Sequence, residues 1–173
     1  MMETFASFTS YDAGRKLIRT FDIRSYQKTN EMSHSGPIVV VEDDEDDQFL
    51  IKYSLENLKV ENTIVFCNNG LQAYQYLKTT TEQPFLILCD INMPIMNGIE
   101  LREKIEAEEY LKQKAIPFVF LSTSDNASLI KKAYQGTIQG FYKKAGELDR
   151  FEANLKLIID YWRMCLHPNN VSV

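Results

Sequence analysis

From residue 38 onward, short apolar runs alternate with segments that have the apolar spacing of helices. The runs span residues 38–41, 63–67, 85–89, 117–122 and 140–142. In the segment that follows each run, apolar residues recur at intervals of three and four, which is typical of amphipathic helices. Five strand–helix units in succession predict an α/β fold, in which helices cover both faces of a parallel sheet and the crossovers are right-handed.

Turn-forming residues mark the starts of three of the predicted helices. The Asn-Asn-Gly at residues 68–70 opens the second helix, and the Asn-Gly at residues 97–98 precedes the third. We predict that Ser124 or Asp125 caps the fourth helix, because short polar side chains at this position accept hydrogen bonds from the free amides of the first turn.

The chain divides into three predicted parts. The five units occupy residues 37–163, which we predict to be one domain, and residues 164–173 form a C-terminal tail. Residues 1–36 mix Ser, Thr, Tyr and charged residues without sustained periodicity, so we predict a flexible extension, with at most a short helix at residues 16–21. So short a segment buries little apolar surface by itself.

Composition narrows the function classes. The 173 residues carry a net charge of −5, which argues against direct nucleic-acid binding because that function needs a basic face. No apolar stretch approaches the length of a membrane span, and the N-terminus lacks the apolar region of a signal peptide. The three cysteines fit neither a zinc pattern nor an obvious disulfide set. We therefore expect a cytoplasmic protein that does not bind membranes.

Carboxylates follow two of the apolar runs at the point where each run ends. Glu42 and Asp43 come directly after Val41, and Asp90 comes directly after Cys89. If these two strands are parallel neighbours, the three carboxylates converge at the carboxyl edge of the sheet, where open α/β sheets bind ligands. Three such groups repel one another unless a cation lies among them, and hard oxygen ligands suit Mg²⁺. A carboxylate beside Mg²⁺ can also attack a phosphoryl group and form an aspartyl-phosphate.

The other acids of the same run have a simpler interpretation. Glu45, Asp46 and Asp47 fall at the start of the first predicted helix, where carboxylates interact favourably with the helix dipole. We expect these three to be solvated. Asp44 is not expected to be a metal ligand.

Short motifs at the ends of four strands carry a resemblance to a known family. They are Val41-Glu42-Asp43, Cys89-Asp90-Ile91-Asn92-Met93-Pro94, Leu121-Ser122-Thr123 and Gly140-Phe141-Tyr142-Lys143-Lys144. Over residues 37–163 the chain resembles the receiver domain of two-component response regulators. The resemblance implies a flavodoxin-like, doubly wound (βα)5 fold whose five parallel strands have the order 2-1-3-4-5, so that strands one and three are neighbours.

The resemblance also implies a role for each acidic residue of the site. Asp90 corresponds to the phospho-acceptor of the family. Glu42 and Asp43 correspond to the acidic pair that holds Mg²⁺ together with Asp90. The main-chain carbonyl of Asn92 is expected to be a further Mg²⁺ ligand.

Three further residues correspond to the switch of the family. Ser122 is expected to be the hydroxyl that hydrogen-bonds the phosphoryl group, with Thr123 as its competitor. Lys144 is expected to be the basic residue of the site rather than Lys143, whose side chain should point the other way along the strand. Phe141 is expected to be the aromatic residue that rotates between states.

One position departs from the family pattern. Response regulators usually have proline after the basic residue, often with a cis bond, whereas Ala145 follows Lys144 here. A cis bond before a residue other than proline costs about 3 kcal/mol. We therefore expect a trans bond at this position, and a different placement of Lys144 could follow from it.

These residues predict a stand-alone response regulator that is phosphorylated on Asp90 by a histidine kinase or a phosphotransfer protein. We expect a switch that accepts its own phosphoryl group and loses it slowly, not a turnover enzyme. Output is expected through a downstream protein or a homodimer, on the face formed by the fourth helix, the fifth strand and the fifth helix. Candidate contact residues on that face are Lys131, Lys132, Gln135, Gln139 and Tyr142.

Two other function classes compete with this prediction. A phosphatase of the haloacid dehalogenase type also uses an aspartyl-phosphate and Mg²⁺. That family usually carries Asp-x-Asp on its first strand, whereas Asp90 lies on the third strand and Asn92 occupies the second acidic position. A receiver-like interaction module would need no phosphate at all. The presence of acidic pair, acceptor, hydroxyl and lysine together argues against this last class.

Overall fold

The computed structural model describes residues 5–12, 15–22, 34–123, 126–144 and 146–166. The strands are β1 Phe5–Asp12, β2 Arg15–Asp22, β3 Ile38–Val41, β4 Ile64–Cys67, β5 Leu86–Cys89, β6 Phe118–Ser122 and β7 Gly140–Lys143. The helices are α1 Glu45–Asn57, α2 Gly70–Thr79, α3 Gly98–Ala107, α4 Glu109–Gln113, α5 Ala127–Gln135 and α6 Leu148–Met164. All five predicted strands of the sheet and the five predicted helices that follow them are present.

The sheet has the expected strand order. Five parallel strands lie in the order β4-β3-β5-β6-β7, which is the order 2-1-3-4-5 when the strands of the sheet are counted along the chain. Val41 is level with Cys67 on one side and with Cys89 on the other. The carboxyl ends of β3, β4 and β5 therefore stand at the same height, and the residues that follow them share one edge.

The core lies on both faces of the sheet. Alternate residues of β3 point to opposite faces, so that Val39 and Val41 pack with α2 and α3, while Ile38 and Val40 pack with α1 and α6. Every residue of β3, β5 and β6 is buried. Burial on both faces explains why these strands are continuous apolar runs instead of alternating patterns.

Two predicted helix starts are confirmed and one is wrong. The Asn69 side chain accepts a hydrogen bond from Gln72 at the start of α2, and Asn97 forms a capping box with Glu100 at the start of α3. The fourth predicted helix, α5, is capped by Asn126, whose side chain accepts hydrogen bonds from the amides of residues 128 and 129. Asparagine, aspartate and serine are about equally good N-cap residues, so propensity does not distinguish Asn126 from Ser124 and Asp125, which lie outside the described residues.

The N-terminal region contains a hairpin. β1 and β2 pair antiparallel, from Phe5 opposite Asp22 to Asp12 opposite Arg15. The helix predicted at residues 16–21 is therefore wrong, because this segment lies within β2 and pairs with β1. Its β-branched and aromatic residues fit a strand better than a helix. The domain boundaries at residues 36 and 163 stay predictions.

The short helix α4 has no counterpart in the sequence analysis. Its five residues are too few to show a helical period, and Leu111 is its buried residue. Among the described residues, the structure has no helix that is long and apolar enough to cross a membrane.

Candidate functional site

Three carboxylates meet at the carboxyl edge of the sheet. Carboxylate oxygens of Glu42, Asp43 and Asp90 all lie within 4.8 Å of one another. Glu42 and Asp90 are buried, whereas Asp43 is exposed to solvent. The arrangement offers several hard oxygen donors in a small space that is open on the side of Asp43.

Backbone hydrogen bonds fix these residues just beyond the strands. The amide of Glu42 donates to the carbonyl of Cys67 at 2.9 Å, and the amide of Asp90 donates to the carbonyl of Val41 at 2.8 Å. The ladder of the sheet thus continues one residue past β3 and β5. The positions of both carboxylates are consequently set by the sheet and do not depend on a loose loop.

A buried ammonium group lies among the acids. Lys144 Nζ is 2.6 Å from Glu42 Oε2, 2.6 Å from Asp47 Oδ2 and 3.5 Å from Asp90 Oδ1. Its side chain is 8% exposed. Lys143 is level with Ser122 in the sheet and is exposed. The structure therefore brings Lys144, not Lys143, to the acidic group, as the alternation along β7 predicts.

Glu42 and Lys144 both have a raised pKa, for different reasons. Burial raises the pKa of Glu42 to about 7, although the hydrogen bond and charge of Lys144 act in the opposite direction. Burial alone would lower the pKa of Lys144, but the hydrogen bonds to Asp47 and Glu42 outweigh it, so that the pKa is raised. Lys144 is thus a firmly held cation, and a divalent cation beside Glu42 would favour its ionised form.

The loop after β5 orients the Asp90 side chain. The amide of Asn92 donates to Asp90 Oδ2 at 2.7 Å, and the Asn92 side chain is exposed. The loop returns to the strand end at Gly98, whose amide donates to the carbonyl of Ile91 at 3.0 Å. A Cβ atom at Gly98 would lie 2.3 Å from the Asp90 carbonyl oxygen, so only glycine lets α3 begin this close to the site.

A tight turn projects one apolar side chain from the same loop. The amide of Met96 donates to the carbonyl of Pro94 at 2.7 Å, and Ile95 between them has a φ of 70°. A three-residue turn with positive φ at its centre is rare and strained, and a β-branched residue is unusual there. The Ile95 side chain is 76% exposed. This strained turn therefore holds an apolar side chain in solvent, in the loop next to Asp90.

The remaining predicted residues lie at the ends of β6 and β7. Ser122 is fully buried as the last residue of β6, and its carbonyl accepts a hydrogen bond from the amide of Lys144 at 2.8 Å. Thr123, its competitor for the switch role, is exposed. The Phe141 ring is half-buried, and its centroid lies 6.3 Å from that of Phe120 in the core. Ala145 lies outside the described residues.

One residue of the site was missed by the sequence analysis. Asp47 was expected to be solvated, but its carboxylate binds the Lys144 ammonium. It occupies the first turn of α1, which Asp44 caps through the amides of residues 46 and 47. The run of six acids was the available signal. It could not indicate which of them faces the sheet edge, because that depends on how α1 packs against the sheet.

Comparisons with known proteins agree with this architecture. Residues 38–156 match the family model described as the response regulator receiver domain. The response regulator Rcp1 of Synechocystis is 28% identical over 139 residues, which cover 78% of this chain and 93% of Rcp1.

Two solved structures are similar in fold and in sequence. The crystal structure of the phosphorylated cyanobacterial phytochrome response regulator RcpA matches with a TM-score of 0.68 at 31% identity, and the Mn²⁺-bound form of Rcp1 matches with a TM-score of 0.65 at 25% identity. Each match covers 76% of this chain and 96% of the other chain. The fold, the strand-end residues and the extent of the family match lead to one conclusion: this chain belongs to the response regulator receiver-domain family of two-component signalling.

Proposed function

We propose that Asp90 accepts a phosphoryl group from a histidine kinase or a phosphotransfer protein in a Mg²⁺-dependent reaction. The observation that carries this proposal is the convergence of the Glu42, Asp43 and Asp90 oxygens within 4.8 Å, beside the Lys144 ammonium. Receiver domains act with such phosphodonors and with downstream partners. The chain is proposed to be a switch and not a turnover enzyme.

The donor set fits a divalent metal ion. Asp43 and Asp90 offer carboxylate oxygens directly, and the main-chain carbonyl of Asn92 is the proposed third direct protein ligand. Glu42 is proposed to act mainly through water. Oxygen donors of this kind suit Mg²⁺ and Mn²⁺, and Rcp1 is known in a Mn²⁺-bound form. When bound, Mg²⁺ would neutralise part of the acidic charge and polarise the incoming phosphoryl group.

The residues of the chain supply the remaining parts of phosphoryl transfer. A carboxylate oxygen of Asp90 attacks phosphorus, so that the new Asp90 O–P bond forms as the bond from phosphorus to the donor breaks. The amide of Asn92 holds the second oxygen, Oδ2, and thereby orients the nucleophile. Lys144 neutralises charge on a phosphoryl oxygen. These contributions are positioning and electrostatic stabilisation, which dominate catalysis of phosphoryl transfer.

The switch is proposed to act through β6, β7 and the two helices that follow them. The Ser122 hydroxyl is proposed to donate a hydrogen bond to the phosphoryl group, a contact that exists only in the phosphorylated state, so that the two states differ in their contacts. Ser122 and Lys144 are joined directly by a backbone hydrogen bond, so a shift at one strand end is passed to the other. Phe141 lies on β7 against Phe120 and can report that shift.

Output is proposed on the face formed by α5, β7 and α6, through a downstream protein or a homodimer. Lys131, Lys132 and Gln135 are exposed on α5, and Tyr142 is half-buried on β7. Gln139 is a weaker candidate than the sequence suggested, because its side-chain oxygen already accepts the Phe118 amide at 2.7 Å.

The acceptor assignment is tested by chemical phosphorylation. The chain is incubated with acetyl phosphate, with and without Mg²⁺, and its intact mass is measured. We expect one added phosphate that requires Mg²⁺, retained in the exposed-acid control Asp46→Asn and absent in Asp90→Asn. Labelling that persists in Asp90→Asn would contradict the assignment. Release of phosphate from small esters at many turnovers per second would instead favour the phosphatase class.

A further inference from the structure

The Lys144 ammonium is displaced from the proposed acceptor towards α1. Its two contacts of 2.6 Å are with Glu42 and Asp47, whereas the nearest oxygen of Asp90 is 3.5 Å away. An ammonium group has three N–H donors, and two of them are used by these carboxylates. The cation that should neutralise a phosphoryl group on Asp90 is therefore held mainly by other acids.

The two acids that hold Lys144 differ in how readily each can release it. The Glu42 side chain is 3% exposed, so little bulk solvent can reach its carboxylate to replace the contact with the lysine. The Asp47 side chain is 33% exposed, so its carboxylate can be hydrated once the contact is broken. Of the two contacts of Lys144, the one with Asp47 can therefore break at the smaller cost in free energy.

We propose that Asp47 is a positioning residue that competes with the phosphoryl group on Asp90 for the Lys144 ammonium. By holding the lysine towards α1, it biases the site to the unphosphorylated state and weakens the phosphorylated one. This inference rests on the proposed function, in which Lys144 binds a phosphoryl oxygen. A phosphoryl group brings nearly two negative charges and strong acceptors, which are enough to draw the lysine across.

The same turn of α1 offers a matched control. Asp46 precedes Asp47, carries the same charge and is exposed. The N-cap Asp44 bonds to the backbone amides of both residues, so changing either side chain leaves the cap in place. Asp46→Asn and Asp47→Asn each remove one acid from the first turn, but only the second removes an acid that contacts Lys144.

The test is the affinity for beryllofluoride, a phosphoryl mimic, at Mg²⁺ concentrations that saturate each protein. Binding is followed by NMR of the amides of residues 90–92 in wild type, Asp46→Asn and Asp47→Asn. We expect Asp47→Asn to bind the mimic about fivefold more tightly than wild type, the size expected for loss of one partly exposed ion pair. Asp46→Asn should stay within about twofold of wild type, and Asp47→Glu should return the affinity towards the wild-type value.

The outcomes separate this inference from the proposed function. If wild type binds Mg²⁺ but not the mimic, the proposed function fails and the inference fails with it. If wild type binds the mimic and Asp47→Asn binds it equally or more weakly, only the competition is overturned, and Asp47 would instead hold Lys144 in its working position. Melting temperatures identify a variant that has lost its fold. In that case Asp47→Ser serves as a second variant with an uncharged side chain at this position.

Discussion

The site has two sides that rest on different kinds of strand. The acidic side, made of Glu42, Asp43 and Asp90, follows β3 and β5, which are fully buried and paired on both edges. The switch side, made of Ser122, Phe141 and Lys144, depends partly on β7, a half-buried strand at the edge of the described sheet. Stability is not uniform within a fold, and segments that move come from its less buried parts. The comparison suggests that the acidic side stays fixed while the switch side responds.

The first prediction tests this difference in stability and carries the largest expected effect. Leu88 in β5 is 1% exposed, and Leu88→Ala should lower the free energy of unfolding by about 3 kcal/mol because it leaves a cavity in the core. Phe141→Ala on β7 should cost about 1–2 kcal/mol, although more atoms are removed, because that ring is only half-buried. Urea denaturation measures both, and equal losses would contradict the comparison.

The second prediction concerns metal binding on the acidic side. Asp43→Ala should weaken Mg²⁺ binding by at least about tenfold, because even the outer partners of metal ligands contribute that much. Glu42→Gln should have a smaller effect, since Glu42 is proposed to act through water and already bonds Lys144. Mg²⁺ titrations followed by NMR rank the two variants. An unchanged affinity in Asp43→Ala would remove that carboxylate from the metal site.

The third prediction concerns which residues change their hydrogen exchange when a phosphoryl mimic binds. With beryllofluoride and Mg²⁺, hydrogen exchange should change at residues 122–139 and 141–150 in addition to the metal site. Ser122→Ala should confine the change to residues 42–44 and 90–92, because it removes the hydroxyl that is proposed to link the mimic to β6. Thr123→Ala is the control and should behave like wild type. A wild-type response confined to the acidic side would mean binding without switching.

The fourth prediction has the smallest expected effect. A chain that starts at Met32 should melt within a few degrees of the full chain, because residues 1–31 lack a pattern that would build a core. The measurement is thermal unfolding at several protein concentrations. A large drop would show that this region packs on the domain or completes an oligomer.

The sheet and the acidic side were readily predicted from sequence. Buried parallel strands appear in the sequence as continuous apolar runs, so each strand of the sheet begins and ends within one residue of its predicted bounds. The carboxylates at residues 42, 43 and 90 come directly after two of these strands, so their place at the sheet edge could be predicted as well. The neighbouring order of strands one and three came from the family resemblance, because periodicity alone does not determine which strands pair.

Each miss has its own physical cause. Asn126 and its polar neighbours are all good caps, so the sequence could not choose among them. The contact of Asp47 with Lys144 joins residues that are far apart in the chain. It depends on how α1 packs, and helix propensity does not predict that packing. The hairpin β1–β2 was missed because its strands carry too many polar residues to show a clear apolar pattern.

The opposite exposure of the two adjacent lysines has a practical consequence. Lys143 faces solvent while the Lys144 side chain is 8% exposed and engaged by carboxylates. An amine-acylating reagent should therefore modify the first residue and spare the second, and both lie on one peptide after digestion with a protease that does not cleave at lysine. The ratio of the two products needs no external standard, and it would register any opening of the site as a gain of label on Lys144.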